Sequence, residues 1–214
     1  MSGILKVGGS ELINDNGGSG ALQWGSGLPS GSIVQVQFHQ FGSPTDEAGA
    51  MTSLAHNVDY VVQTSGNTSG GGETGVVDTT ITPRITGSTI WLQAHWFGEL
   101  NIDATHDSMF FFWRSVGSTH TKLASAVSGG SPTVGEIGIS AASRTYFSEH
   151  VGGTAEVLNM QYFDSHGVSA GTSVIYKLGF TTASSTMDNL ATNRASGNDE
   201  EVGVTSLCAI ELAP

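Results

Sequence analysis

The stretch Thr80–Gly117 constrains the fold more than any other part of the chain. It carries Trp91, Trp96 and Trp113, three of the four tryptophans, and Phe97, Phe110, Phe111 and Phe112, four of the nine phenylalanines. With aromatics at only 8% of the sequence, such a concentration marks the densest packing. Within it, Ile90, Leu92, Ala94 and Trp96 alternate with Trp91, Gln93, His95 and Phe97. Further on, Met109, Phe111 and Trp113 alternate with Phe110, Phe112 and Arg114. A period of two in aromatic and β-branched residues is the signature of strands. If the two strands pair through one connecting loop, each sheet face collects one set. Leu92, Trp96, Phe111 and Trp113 then fill a core. Trp91, His95, Phe97, Phe110, Phe112 and Arg114 form a mixed face, too apolar for water and too polar for a core. That mixed face is the expected contact between copies of the chain; the alternative is that the chain's own loop, Gly42–His56 or Thr182–Glu201, covers it. A closed symmetric contact removes its rings from water without building open fibres.

The remainder supplies short strands and turn material. Glycine accounts for 30 of 214 residues, and only 12% are charged, below the usual quarter. Ile33–Phe41 reads as a strand with Val34, Val36 and Phe38 on one face and Ile33, Gln35 and Gln37 on the other. Val58–Gln63, Glu156–Phe163, Val174–Thr181 and Val202–Leu212 read as further strands, and Lys122–Val127 and Val134–Ile139 as weak ones. Gly42–His56, Thr64–Thr74 and Thr182–Glu201 read as loops. No long segment keeps the 3.6-residue period of a helix. The expectation is an all-β chain, an antiparallel β-sandwich or jelly roll with an N-terminal extended arm. Residues 1–32 form the glycine-rich arm and residues 33–214 the head. In the arm, Leu5, Val7, Leu22 and Trp24 are apolar points too sparse to bury a core alone. They are expected to dock on another protein or a neighbouring subunit.

Charge and motif content exclude several function classes. Seven Lys and Arg against nineteen Asp and Glu give a formal charge of −12. That repels phosphate backbones and anionic lipid, so neither nucleic-acid binding nor membrane insertion is expected. No signal peptide is recognisable at the N-terminus. The single cysteine, Cys208, reads as a small buried hydrophobe. Nucleophile-elbow, P-loop and dinucleotide motifs are missing. The seven histidines, His39, His56, His95, His106, His120, His150 and His166, show no metal-ligand spacing. Asn101, Asp103, Thr105 and Asp107 place oxygen ligands like the start of a calcium loop. His106 stands where such a loop needs glycine, and Phe112 where it needs glutamate. Asp46, Glu47, Glu99 and Glu156 could serve a glycoside hydrolase only if they converged in space. No catalytic residue, cofactor or metal is expected.

Five runs carry a resemblance: ALQWGSGLPSGSIVQVQF, ITPRITGSTIWLQAHWFGELN, FFFWRS, LNMQYFDSHGVSAGTSVIYKLGF and SLCAIELAP. From about Leu22 onward the chain resembles the globular domain of tail-fibre and other virion proteins of marine and environmental bacteriophages. Asp164, Gly167, Gly171 and Thr172 match a recurrent hairpin turn, and Ile210, Glu211 and Pro214 a recurrent closing strand. The chain departs from that pattern in the Gly42–His56 loop and the 182–201 loop. The resemblance implies a trimeric jelly-roll head in a virus particle, with no catalytic residues. The expected role is a non-enzymatic tail-fibre or small-appendage head that contributes to host attachment. It would be assembled in the host bacterial cytoplasm and joined to other virion proteins by its arm. Its outward partner would be a host-surface glycan or protein. A head decoration or tail adaptor, and an envelope-polysaccharide depolymerase, are the alternatives.

Overall fold

The structure, a computed structural model, describes residues 4–7, 9–14, 23–24, 27–43, 51–55, 57–101, 108–124, 138–140, 155–182, 189–193 and 202–214. The described residues form β-strands and connecting turns only, in antiparallel sheets. A small sheet holds β1 (Ile4–Val7), β2 (Ser10–Asn14) and β3 (Gln23–Trp24), which pair with one another in that order. The other two sheets form a β-sandwich. One contains β4 (Ile33–Phe41), β5 (Met51–Thr52), β8 (Thr89–Asn101), β11 (Glu156–Asp164), β13 (Asn189–Thr192) and β14 (Thr205–Leu212). The second contains β6 (Val58–Val61), β7 (Asp78–Ile81), β9 (Ser108–Val116), β10 (Thr119–Leu123) and β12 (Val174–Thr182).

β8 is the spine of the six-stranded sheet. One edge pairs with β11 from Ile90 to Gly98. The other edge is shared, β14 taking Thr89–His95 and β13 taking Gly98–Asn101. β12 is divided in the same way, with β9 along one edge and β7 and then β6 along the other. Period-two burial decides the core. Ile90, Leu92 and Trp96 of β8 meet Phe110 and Phe112 of β9 and Val174, Tyr176, Leu178 and Phe180 of β12. Phe110 lies 4.9 Å from the Trp96 ring in a tilted contact and 5.1 Å from the Phe180 ring in an edge-to-face one, the latter a geometry that aromatic quadrupoles favour.

β8 and β9 therefore do not pair. They stand in opposite sheets and face each other across the core, which overturns the expected shared mixed face. Phe110 and Phe112 are 0% exposed inside a single chain. Alternation could not reveal this, because β9 is buried on both faces. Its outer face, Phe111 and Trp113, is covered by Val61, Ile139 and the segment following β6. There a Cβ on Gly71 would come within 2.7 Å of Trp113 and His120, so only glycine lets that backbone lie so close. The Thr64–Thr74 stretch is thus a cover rather than a free turn. The Asp164–Gly171 turn likewise joins strands of different sheets, β11 and β12, and is not a hairpin.

Three smaller expectations are also corrected. β4 turns its faces over: Val34 is buried, while Val36 and Phe38 are exposed. The register with β14 slips next to Val34, as a β-bulge does, and the alternation inverts beyond it. β10 starts at Thr119, ahead of the weak strand expected at Lys122–Val127, and pairs with β9 through a two-residue turn with Gly117 at φ +57°. The 182–201 and Gly42–His56 loops contain β13 and β5, which pair with each other.

Candidate functional site

The outer face of the six-stranded sheet is organised in rows. Cross-strand register places Val36, Ile210, Trp91 and Phe163 in one row across β4, β14, β8 and β11. The next row is Phe38, Cys208, Gln93 and Gln161, and the third is Gln40, Ser206, His95 and Asn159. No Asp, Glu, Lys or Arg stands in these rows. Three of the apolar members stay in water, Val36 at 50% exposed, Phe38 at 61% and Phe163 at 57%, while Ile210 is buried. Full burial of each such side chain would gain about 1.5–3 kcal/mol, so the face is energetically prepared for a partner. Trp91 stacks on Phe163 at 5.6 Å with 10° between the planes. Its Nε1–H is buried and has no hydrogen-bond partner among the described residues, an unmet donor of the kind native structures seldom keep.

A groove of about 660 Å³ is lined by the second row and, from the third, Ser206, His95 and Asn159, together with Ala94, Met160, Ile139 and Ser140. That volume falls within the range of small-ligand sites. Asn159 Oδ1 accepts a 2.9 Å hydrogen bond from His95 Nδ1–H. The bond leaves Nε2 of the neutral ring as an acceptor and the Asn159 amide N–H groups as donors. The side chains of Gln93, Gln161, Gln40 and Ser206 make no hydrogen bond within the described residues. Burial pushes the Cys208 thiol up from its ordinary value. The thiol therefore stays protonated and is not an activated nucleophile.

Two serine–histidine pairs among the described residues, one buried and one with an exposed His120, have a different use. Ser88 Oγ lies 3.3 Å from His166 Nε2, and His166 Nδ1 accepts the Val168 backbone N–H at 3.1 Å. Nδ1 is thereby the unprotonated nitrogen, and Nε2 carries the proton. The ring donates to the serine and cannot take its proton, which is the reverse of a nucleophile–base pair. Burial lowers the His166 pKa despite the opposing pull of Asp164 and Glu211. Around it, Arg114 Nη1 donates to Asp164 Oδ1 at 2.8 Å and the Tyr176 hydroxyl to Asp164 Oδ2 at 2.7 Å. Burial, and then the Asp164 charge, holds the Tyr176 hydroxyl far above its ordinary pKa. Glu211, 0% exposed, accepts from the backbone N–H groups of Arg84 and Ile85 and from Gln35 Nε2. This polar cluster closes one end of the core.

The second pair is Ser115 Oγ and His120 Nδ1, 2.8 Å apart. Ser115 Oγ and Lys177 Nζ both donate to the Gly71 carbonyl, at 3.3 and 3.2 Å. With Trp113 Nε1 donating to the Tyr60 carbonyl at 3.0 Å, they fasten the cover over the five-stranded sheet. Buried polar groups are being satisfied here rather than armed.

Of the residues expected from sequence to form the site, Trp91, His95 and Phe97 stand on the outward side of β8. Phe97 lies under the backbone of Gly203, where a Cβ would come within 2.4 Å of the ring. Phe110 and Phe112 are core, and Arg114 is held by Asp164, so these three cannot share that surface. Leu5, Val7 and Trp24 lie on strands of the small sheet, but their side chains, and Leu22 altogether, are outside the described residues. Among the carboxylates, Glu156 Oε2 accepts the Leu100 N–H at 3.0 Å and Glu99 is buried. Asp46, Glu47 and most of the calcium-like loop are outside the described residues. Among the described residues, no three His, Cys, Asp or Glu side chains gather to hold a metal. Sequence reasoning missed Phe38, Gln161, Asn159 and Ser206, because only the long-range register of β4, β11 and β14 brings them beside Gln93 and His95. No model of a known protein family matches the chain, and none of the curated proteins matches it.

Proposed function

We propose that the chain is a non-enzymatic structural protein of a bacteriophage virion. In this reading it is a tail-fibre or small-appendage head of the jelly-roll kind that takes part in attachment to the host surface. The observation that carries the reading is the outer face of the six-stranded sheet. In a chain of net charge −12, four adjacent strands present exposed rings and unbonded amides with no ionised side chain among them. Such a face suits adhesion, since interface centres are depleted of charge and enriched in aromatics. The groups that could have served catalysis support the same reading, because they are engaged in holding the core and its cover. The sequence resemblance to phage virion proteins supplies the setting.

Residues 1–32 serve as the anchoring arm, and the head assembles as a homotrimer. The contact between copies no longer involves Phe110 or Phe112. Among the described residues, exposed Ile33, Val36, Val157, Phe163, Val202 and Val204 lie outside the groove and are apolar residues available to it. A decoration or adaptor role is the second reading, favoured by the small N-terminal sheet, whose strands, among the described residues, pair with one another alone. Labelling purified particles with an antibody to the chain distinguishes the readings. Label at the tail tip or on an appendage supports attachment, and label over the shell supports decoration. Particles that lack the protein remove both.

A further inference from the structure

We propose that the groove on this outer face binds an uncharged saccharide, a short segment of a neutral glycan. The proposal deepens the attachment reading and rests on it only for the source of the glycan. Charge narrows the ligand first. Among the described residues no Asp, Glu, Lys or Arg lines the groove, so this part of the lining offers an ionic ligand no counter-charge. The net charge of −12 further opposes a polyanion.

Hydrogen-bonding capacity narrows it further. Gln93 and Gln161 are cross-strand neighbours, so their side chains rise about 5 Å apart as one bank. Each carboxamide offers an acceptor and two donors in one plane. Adjacent hydroxyls of a sugar ring offer the complementary donor and acceptor side by side. His95 and Asn159, bonded to each other, extend the bank by one residue pair with an acceptor and donors to spare. Phe38 stands two strands away from Gln93, across Cys208, which is about 10 Å at normal strand spacing. Its exposed ring can cover the C–H face of a sugar whose hydroxyls reach the amides. A small number of placed polar groups beside an aromatic wall is the usual make-up of a ligand groove.

A second copy of the chain fits less well. A two-fold contact sets a patch against itself, and groove against groove would enclose a void.

The test uses the purified full-length chain on an array of neutral hexose and N-acetylhexosamine oligosaccharides, with uronate and sialylated oligosaccharides as the anionic arm. Hits are followed by calorimetric titration. The expected result is binding to a neutral class, changed less than about twofold between roughly 50 and 500 mM salt. Gln93→Ala and Phe38→Ala should each weaken it about tenfold, with unaltered circular dichroism. Thr119→Ala, on β10 of the other sheet, should leave it intact. No binding to any neutral oligosaccharide overturns the proposal. So does binding confined to the anionic arm, or binding indifferent to both groove variants. A light-scattering mass that falls on Phe38→Asp would assign the face to a second copy and also overturns it. If the protein is labelled on particles but fails the array, the groove proposal alone falls. If it binds neutral saccharide through the groove but is missing from particles, the virion reading alone falls.

Discussion

Phe110→Ala separates the two possible places for the aromatic run of β9. In the structure the ring is 0% exposed and packs on Trp96 at 4.9 Å and Phe180 at 5.1 Å. Truncation removes its transfer free energy, both ring contacts and the filling of the space between the sheets. Substitutions of this type cost about 3–5 kcal/mol. Total stabilities of about 5–15 kcal/mol leave a folded but much weakened protein. For a chain of this length, each kcal/mol lowers Tm by roughly 2–4 °C, so a fall of about 6–20 °C is expected. Phe38→Ala is the matched control. It is the same chemical change at a ring that is 61% exposed, and it should move stability by no more than about 0.5 kcal/mol. Urea titration and a thermal scan measure both. The reasoning is refuted if Phe110→Ala costs less than about 1 kcal/mol and instead lowers the oligomeric mass, because the ring would then lie between subunits.

Other predictions follow from the polar end of the core and from its closest contacts. Glu211→Ala leaves the Arg84 and Ile85 N–H groups without their acceptor. Each orphaned group costs about 1–3 kcal/mol, so a loss of at least about 2 kcal/mol is expected by urea titration. His166 has a folded pKa below its unfolded value. The unfolded chain therefore takes up a proton first as pH drops below about 6.5. Its contribution to stability is full above that pH and is lost as pH falls toward the folded pKa. Urea midpoints across that window should show His166→Gln losing less stability on acidification than the parent does. Gly98→Ala would put a Cβ 2.1 Å from the Ala191 carbonyl oxygen and 2.4 Å from the Trp96 ring. Overpacking of this kind costs about 1–3 kcal/mol, readable as a lowered Tm. Deleting residues 1–28 should leave a β-rich head that still melts cooperatively but no longer enters particles. Normal incorporation of the truncated protein would show that the arm is not the anchor.

The sequence was legible wherever alternation met a single solvent boundary. Leu158, Met160 and Tyr162 of β11, and Val174, Tyr176, Leu178 and Phe180 of β12, face the core as their period of two predicts. It misled where burial comes from both sides. Phe110–Trp113 are apolar at every position, so nothing local tells the core face from the covered face, and nothing assigns β9 to a sheet. Short strands such as β5 and β13 carry no pattern of their own, and their pairing with each other and with β8 creates them. In β4 the irregularity beside Val34 inverts the alternation, so Val36 and Phe38, expected on one face with buried Val34, are on the surface instead. The candidate site was half visible for the same reason. Trp91, His95 and Phe97 declared a mixed face, but the register that sets Phe38, Gln161 and Asn159 next to it spans more than a hundred residues between β4 and β11.

The central claim is that the protein works by adhesion through the outer face of the six-stranded sheet. The most direct measurement is binding of the labelled full-length chain to cells of the bacterium in which the particle multiplies. Phe38→Asp would be compared with Thr119→Asp, after both are shown to be folded by circular dichroism. Adhesion lost in Phe38→Asp and retained in Thr119→Asp is the predicted result. Equal adhesion by the two variants, or no adhesion by the unsubstituted protein, would contradict the account.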